Sequence, residues 1–260
     1  MKIENVADFK WDGYKPYDIK YTFLSLTTMI YTHGDEDKVI EYIKCGLKKD
    51  KFGNYYKVIG DSNTMFTSHL DNHTSNTINI NRRFFNKDGD DFYTSDGNSI
   101  LGADDKAGVV IMLNMIHNSI PGVYYFFIGE EAGGVGSGKI RDNFKDIDCL
   151  RGIKKCISFD RRGYDSLIIK QSGKTSCSID FAKSLLSSFA SNGIKLNLDP
   201  TGIYTDSYEF IDLIPECTNI SVGYFNEHTN KETQNITFLE NLCKACCSIK
   251  WGDLMYFENK

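Results

Sequence analysis

His69, Asp71, Asp104, Glu130, Glu131, Asp160 and His228 have the side-chain types and the order along the chain that metal-assisted hydrolysis needs. Asp104 belongs to Gly102-Ala103-Asp104-Asp105-Lys106-Ala107-Gly108, where two adjacent carboxylates sit between small residues at the start of a helical pattern. Small residues let the backbone turn tightly and admit a close approach. A helix N-terminus carries unpaired N–H groups and favours negative charge. Taken alone, Asp104 or Asp105 reads as a helix cap. The pattern around the pair changes that reading, because His69-x-Asp71 precedes it and Glu130-Glu131, Asp160 and His228 follow.

Zinc accepts imidazole nitrogen and carboxylate oxygen at roughly 2.0–2.2 Å. Two such ions roughly 3.5–4 Å apart need a shared ligand, and an Asp such as Asp104 can bridge them. A donor set of His, Asp and Glu without Cys suits zinc, and manganese or cobalt as well. Glu130 and Glu131 are costly to hold side by side without cations. With metal present they divide the labour: one binds, and the other is a general base toward metal-activated water. A ligating imidazole usually gives its other N–H to a carboxylate, and Asp71 is close enough in sequence to take it from His69. Each residue alone has a plainer reading, as surface histidine, solvated pair, turn cap or loop. His33, His73 and His117 are read as structural or surface residues, with His73 nearest the site.

The elements around these residues decide between the readings. Residues 17–32 read as a helix that Gly34-Asp35 breaks. A second helix follows, with Val39, Ile40, Tyr42, Ile43 and Leu47 on its apolar side and Lys48, Lys49 and Lys51 near its end. Residues 55–60 and 64–68 read as strands joined by a short turn. His69 falls where the second strand ends. Residues 72–99 suggest short strands and a surface loop, and 107–117 a strong helix. Residues 123–128 form a continuous apolar run, as in a strand covered on both faces, with Glu130-Glu131 at its end. Residues 132–138 look too glycine-rich for regular structure. They lack the Lys-Ser/Thr pair of a phosphate loop. Strands at 156–159, 167–169 and 220–224, helices at 176–191, 206–213 and 233–251, and a loop at 197–202 complete the pattern. This alternation predicts a three-layer α/β/α domain with a central mixed, largely parallel sheet, spanning residues 1–260 as one unit. His69, Glu130, Glu131, Asp160 and His228 then all lie at or just past strand ends, the edge where open α/β sheets bind ligands.

The length allows a sizeable core, and 41% hydrophobic with 25% charged residues is ordinary for a globular domain. A net charge of -5 and the absence of a basic run exclude nucleic acid and a membrane surface as expected partners. The N-terminal Met1-Lys2-Ile3-Glu4-Asn5 lacks the apolar core of a signal peptide, and no apolar stretch is long enough to span a bilayer. A cytoplasmic setting is expected. The eight cysteines fit it as reduced thiols. Cys243-x-x-Cys246-Cys247 has no second pair and reads as small buried hydrophobes.

His69-x-Asp71, Gly102-Ala103-Asp104-Asp105-Lys106-Ala107-Gly108, Gly129-Glu130-Glu131-x-Gly133, Phe159-Asp160 and His228-Thr229-x-x-Glu232 together resemble the co-catalytic di-zinc exopeptidases. That clan includes bacterial leucyl aminopeptidase, peptidase T, and related carboxypeptidases and deacylases. Leu24-Ser25-Leu26, Gly34-Asp35-Glu36 and Asp50-x-x-Gly53-Asn54 resemble its N-terminal region, so the resemblance covers most of the chain. It implies that His69 and Asp160 bind one ion and Glu131 and His228 the other, with Asp104 bridging. It further implies Glu130 as general base and later acid, Asp71 as the residue orienting His69, and a cis peptide after Asp104. Peptidase T and the carboxypeptidases carry a lid or dimerisation domain inserted after the residue matching Asp160. Here the roughly hundred residues after Asp160 are needed to finish the sheet and helices, so a catalytic domain without that insert is expected. Tyr204 is then a candidate oxyanion donor, and Arg161 and Arg162 could face a substrate carboxylate.

The function implied is hydrolysis of short peptides or aminoacyl substrates, from the amino end, because an Asp at the position of Asp160 is more typical of aminopeptidases among relatives. An amidase or deacylase of N-acyl amino acids uses the same site, and an inactive metal- or peptide-binding relative is the reading from another class. Side-chain preference, physiological metal and oligomeric state are not written in the sequence.

Overall fold

The computed structural model describes residues 2–4 and 12–258. The remainder includes Met1 and Asn5 of the stretch read for a leader, which therefore lie outside the described residues. Eight strands make the central sheet, in the spatial order Asn197–Asp199, Ser166–Ile168, Glu216–Ser221, Lys155–Arg161, Thr64–His69, Gly122–Phe127, Tyr55–Ile59, Lys48–Lys49. The middle four, Glu216–Ser221 to Gly122–Phe127, run parallel to one another. Antiparallel pairings enter only toward the edges. The sheet is mixed and largely parallel, as expected.

Side chains along the central strands alternate between two cores, as the two-residue period of a strand requires. Phe66, Tyr124 and Phe126 enter one core, and Met65, Val123, Tyr125 and Phe127 the other. The first core is roofed by helices α1 (Ile19–Leu26), α3 (Ala103–His117), α5 (Ile179–Ser191) and α6 (Ile236–Ser248). The second is closed by α4 (Val135–Asp142), through Ile140, and by the Asp206–Phe210 turn, through Phe210. These are the three layers. In α3 every residue from Ala103 to Ile116 is buried, and a helix apolar on all sides belongs inside. Its partner surfaces are the Thr64–His69 and Lys155–Arg161 strands.

Several boundaries differ from the pattern-based expectation. The first helix stops at Leu26, where Thr27 caps it, and Met29–Ile30 becomes a strand paired with Ile78–Asn79. The second shrinks to α2 (Asp37–Ile40), a single turn. Tyr55–Ile59 and Thr64–His69 are both strands but not neighbours, because Gly122–Phe127 lies between them. Residues 132–138 are irregular only as far as Gly134, whose φ of 68° is left-handed, and α4 begins behind it. Gly136 suits a close approach rather than flexibility, since a Cβ there would fall 2.0 Å from Asn54 Oδ1. The 197–202 loop contains the edge strand Asn197–Asp199, and the closing helix starts only at Ile236.

A second, antiparallel sheet orders Lys2–Glu4, Arg82–Lys87, Asp90–Ser95, Thr233–Asn235 and Tyr224–Phe225. Arg82–Lys87 and Asp90–Ser95 are the short strands expected within 72–99, but their assembly into a second sheet was not expected. Its last two strands flank residues 226–232 and so position His228 and Glu232. No disulfide is present among the described residues, and Cys243 and Cys246 are buried in the α6 core. No helix among the described residues is long and apolar enough to cross a membrane.

Candidate metal centre

Three of the four adjacent parallel strands deliver candidate ligands to one edge, and the second sheet and α3 supply the others. Thr64–His69 ends on His69, and Asp160 lies one residue before the end of Lys155–Arg161. Glu130 and Glu131 follow Gly122–Phe127 by three and four residues, and His228 follows the Tyr224–Phe225 strand. Asp104 enters from the first turn of α3, and its peptide bond to Asp105 is cis.

Asp104 stands at the centre. Its Oδ1 is 3.1 Å from His69 Nε2, and its Oδ2 is 3.1 Å from His228 Nε2. His69 Nε2 is also 3.7 Å from Asp160 Oδ1, and His228 Nε2 is 2.8 Å from Glu131 Oε1. The two halves thus meet on the two oxygens of one carboxylate. His69 Nδ1 lies 3.1 Å from the Asp71 carbonyl oxygen and 3.5 Å from its Oδ1. Asp71 in turn accepts the backbone N–H groups of Glu130 (3.1 Å) and Glu131 (3.2 Å), tying the His69 strand end to the acidic pair. All seven sequence-predicted residues are therefore in one neighbourhood.

Burial and mutual charge shift these groups strongly. Burial opposes ionisation of Asp104, but the contacts with His228 and His69 outweigh it and hold its carboxyl well below the usual range. His228 is raised to about 10 by Asp104 and then by Glu131. Burial pushes Glu130 up to about 10; His69 opposes this, and Asp160, Asp206 and Asp104 add to it. Asp160 is raised by burial and by Asp104.

The donors fit divalent cations by an observation independent of charge. Glu131 Oε1 is buried without a hydrogen-bond partner, although His228 Nε2 is only 2.8 Å away. His228 Nε2, Glu131 Oε1 and Asp104 Oδ2 thus crowd one spot, as donor atoms that could hold a cation would. His69, Asp104 and Asp160 likewise offer atoms within 4.8 Å of one another.

Other side chains frame the centre. Glu232, buried, accepts the N–H groups of Leu101 and Gly102 (each 2.8 Å) and of Asp104 (2.9 Å). Asn72 Nδ2 donates to the Asp104 carbonyl at 2.6 Å. The hydroxyls of Thr205 (2.6 Å) and Tyr224 (3.0 Å) donate to Asp160. Glu232 stood in a quoted motif without a role; Asn72, Thr205 and Tyr224 carried no signal at all. His73, read as structural or surface, stands beside the site, with Nδ1 3.3 Å from Glu131 Oε2.

A cavity of about 200 Å³ opens over the centre, lined also by Arg161, Arg162, Gln171, Tyr204 and Glu227. Arg161 is engaged by Asp199 (3.0 Å) and Thr201 (3.1 Å), and Arg162 by Glu227 (3.0 Å). The Tyr204 hydroxyl, expected as an oxyanion donor, donates to Glu209 at 3.0 Å.

No family model matches the sequence, and no curated protein matches it. Solved structures do match the fold. Aminopeptidase PepT from Bacillus cereus is 16% identical with a TM-score of 0.71, over 90% of this chain and 98% of that one. A tripeptidase from Staphylococcus aureus is 17% identical with a TM-score of 0.67, over 92% and 98%. The TET1 peptidase of Pyrococcus horikoshii is 15% identical with a TM-score of 0.67, over 90% and 100%. The chain has a layered α/β fold with a mixed, largely parallel sheet. More particularly, it shares that fold with the solved structures of the PepT aminopeptidase and the TET1 peptidase.

Proposed function

We propose that the chain is a di-metal aminopeptidase of short peptides. The observation that carries this reading is the convergence on Asp104 of His69 and Asp160 on one side and His228 and Glu131 on the other. The fold likeness to PepT and TET peptidases supports it. His69, Asp160 and Asp104 would hold one divalent ion, and Glu131, His228 and Asp104 a second; zinc suits these donors, and manganese or cobalt would too. Such ions supply a Lewis acid at the scissile carbonyl and activate water.

Glu130 lines the same cavity and is not needed as a ligand. Cationic charge beside it favours its ionised form. It then takes the proton of the attacking water and returns it to the leaving amine. The amino-end preference is supported by Glu227. This residue lines the cavity, where Arg162 holds its Oε1. A carboxylate on this wall suits a substrate ammonium better than a neutral N-acyl group. The deacylase reading rests on Arg161, whose Nε is buried and unpartnered on this wall and suits a carboxylate.

The catalytic domain is proposed to carry no domain inserted after Asp160. The strands that follow Asp160, namely Ser166–Ile168, Asn197–Asp199 and Glu216–Ser221, all enter the central sheet, with α5 packed on it.

The test is hydrolysis of a panel of aminoacyl p-nitroanilides, di- and tripeptides and N-acetyl amino acids, before and after chelation and zinc repletion. Cleavage of free-amine substrates, lost on chelation and restored by zinc, is expected. Turnover of the N-acetyl compounds alone would favour the deacylase, and no turnover with zinc, manganese or cobalt would overturn the enzyme reading.

A further inference from the structure

Glu131 presents its two oxygens to two different imidazoles. Oε1 is 2.8 Å from His228 Nε2, and Oε2 is 3.3 Å from His73 Nδ1. The two rings stack, with centroids 4.3 Å apart and planes 17° from parallel. An imidazole donates its lone pair in the plane of its ring. Two rings in nearly parallel planes therefore cannot both aim at one ion, and His228 is the one that also faces Asp104.

We infer that His73 is a positioning residue for the second ion: its Nδ1–H donates to Glu131 Oε2, leaving Oε1 turned toward the ion, and its ring covers one face of His228. This inference rests on the di-metal reading. The ring of His73 is 58% exposed, yet its backbone is anchored. The preceding Asn72 is buried, accepts the Tyr31 N–H at 3.0 Å and donates to the Asp104 carbonyl at 2.6 Å, and its own N–H donates to the Tyr31 carbonyl at 2.8 Å. The segment that carries His73 is thus fixed to the residue proposed to bridge the ions. On the other half of the centre, Asp71 stands in the same relation to His69. Partners of this kind orient a ligand, and their loss typically weakens metal binding 10–100-fold.

The experiment is calorimetric titration of zinc into metal-stripped wild type, His73→Ala, His73→Phe and His73→Asn, read as the affinity of each of two ions. Phe keeps a ring face without a donor, and Asn returns an N–H donor near the position of Nδ1. In His73→Ala and His73→Phe one ion is expected to weaken roughly 10–100-fold while the other is unchanged. His73→Asn should recover most of the loss. Unchanged affinities in His73→Ala, equal weakening of both ions, or recovery in Phe but not Asn would overturn the inference and leave the di-metal reading standing. A wild type that takes up fewer than two ions would overturn both, and the unmutated protein alone shows which has failed.

Discussion

At the scale of single residues, the proposed centre would divide its carboxylates into holders and one actor. Asp104 and Glu131 face histidines, and Asp160 is held by Thr205 and Tyr224 besides its approach to His69. Glu130 lines the cavity and is held through its backbone by Asp71. A general base contributes about 10²–10⁴ to turnover. Glu130→Gln should therefore lower kcat by about that factor with metal content unchanged, checked by steady-state kinetics beside elemental analysis. Asp71→Asn keeps the size but lowers the charge that backs His69, and should weaken one ion about ten-fold or more by competition with a chelator. The candidate ligands were legible because a run such as residues 123–128, apolar and then abruptly acidic, marks a strand end. Their supports were not, because Asn72, Thr205 and Tyr224 look like any loop or strand residue until the chain folds around Asp104.

At the scale of elements, the centre depends on how closely α3 lies on the sheet. Gly108 faces the Lys155–Arg161 strand so tightly that a Cβ would fall 2.2 Å from the Phe159 carbonyl oxygen. Gly108→Ala must push α3 away, which costs about 1–3 kcal/mol and shifts Asp104 from its partners. Urea unfolding should show the lower stability, with metal affinity reduced in step. The N-terminal turn of the same helix is held by Glu232, which accepts three backbone N–H groups at once. Glu232→Ala leaves those donors buried and unpaired and should cost about 3 kcal/mol or more, read from the same unfolding curves. Helical and strand types were mostly legible in the periodicity, but partnerships were not. The turn between residues 60 and 63 suggested neighbouring strands, whereas Gly122–Phe127 supplies the partner to both. Likewise the glycines of residues 132–138 mimic a loop, although at Gly136 the missing side chain makes room for Asn54.

At the scale of the whole molecule, four parallel strands bring their C-terminal ends to one edge, and the antiparallel sheet beside them supplies the rest. Residues 226–232, which carry His228, lie between Tyr224–Phe225 and Thr233–Asn235 of that second sheet. The layered α/β architecture could be read from the alternation of strand and helix patterns. The second sheet could not: short strands were expected within 72–99, but their polar sequence does not say what they pair with, and Thr233–Asn235 merges into the helix that follows. The central claim is that this edge gathers two cations around Asp104. Its most direct measurement is crystallography of the zinc-loaded protein with data on both sides of the zinc absorption edge. Two anomalous peaks are predicted, one among His69, Asp104 and Asp160 and one among Asp104, Glu131 and His228. Zinc bound elsewhere, or no peak beside Asp104 at full zinc loading, would contradict the account.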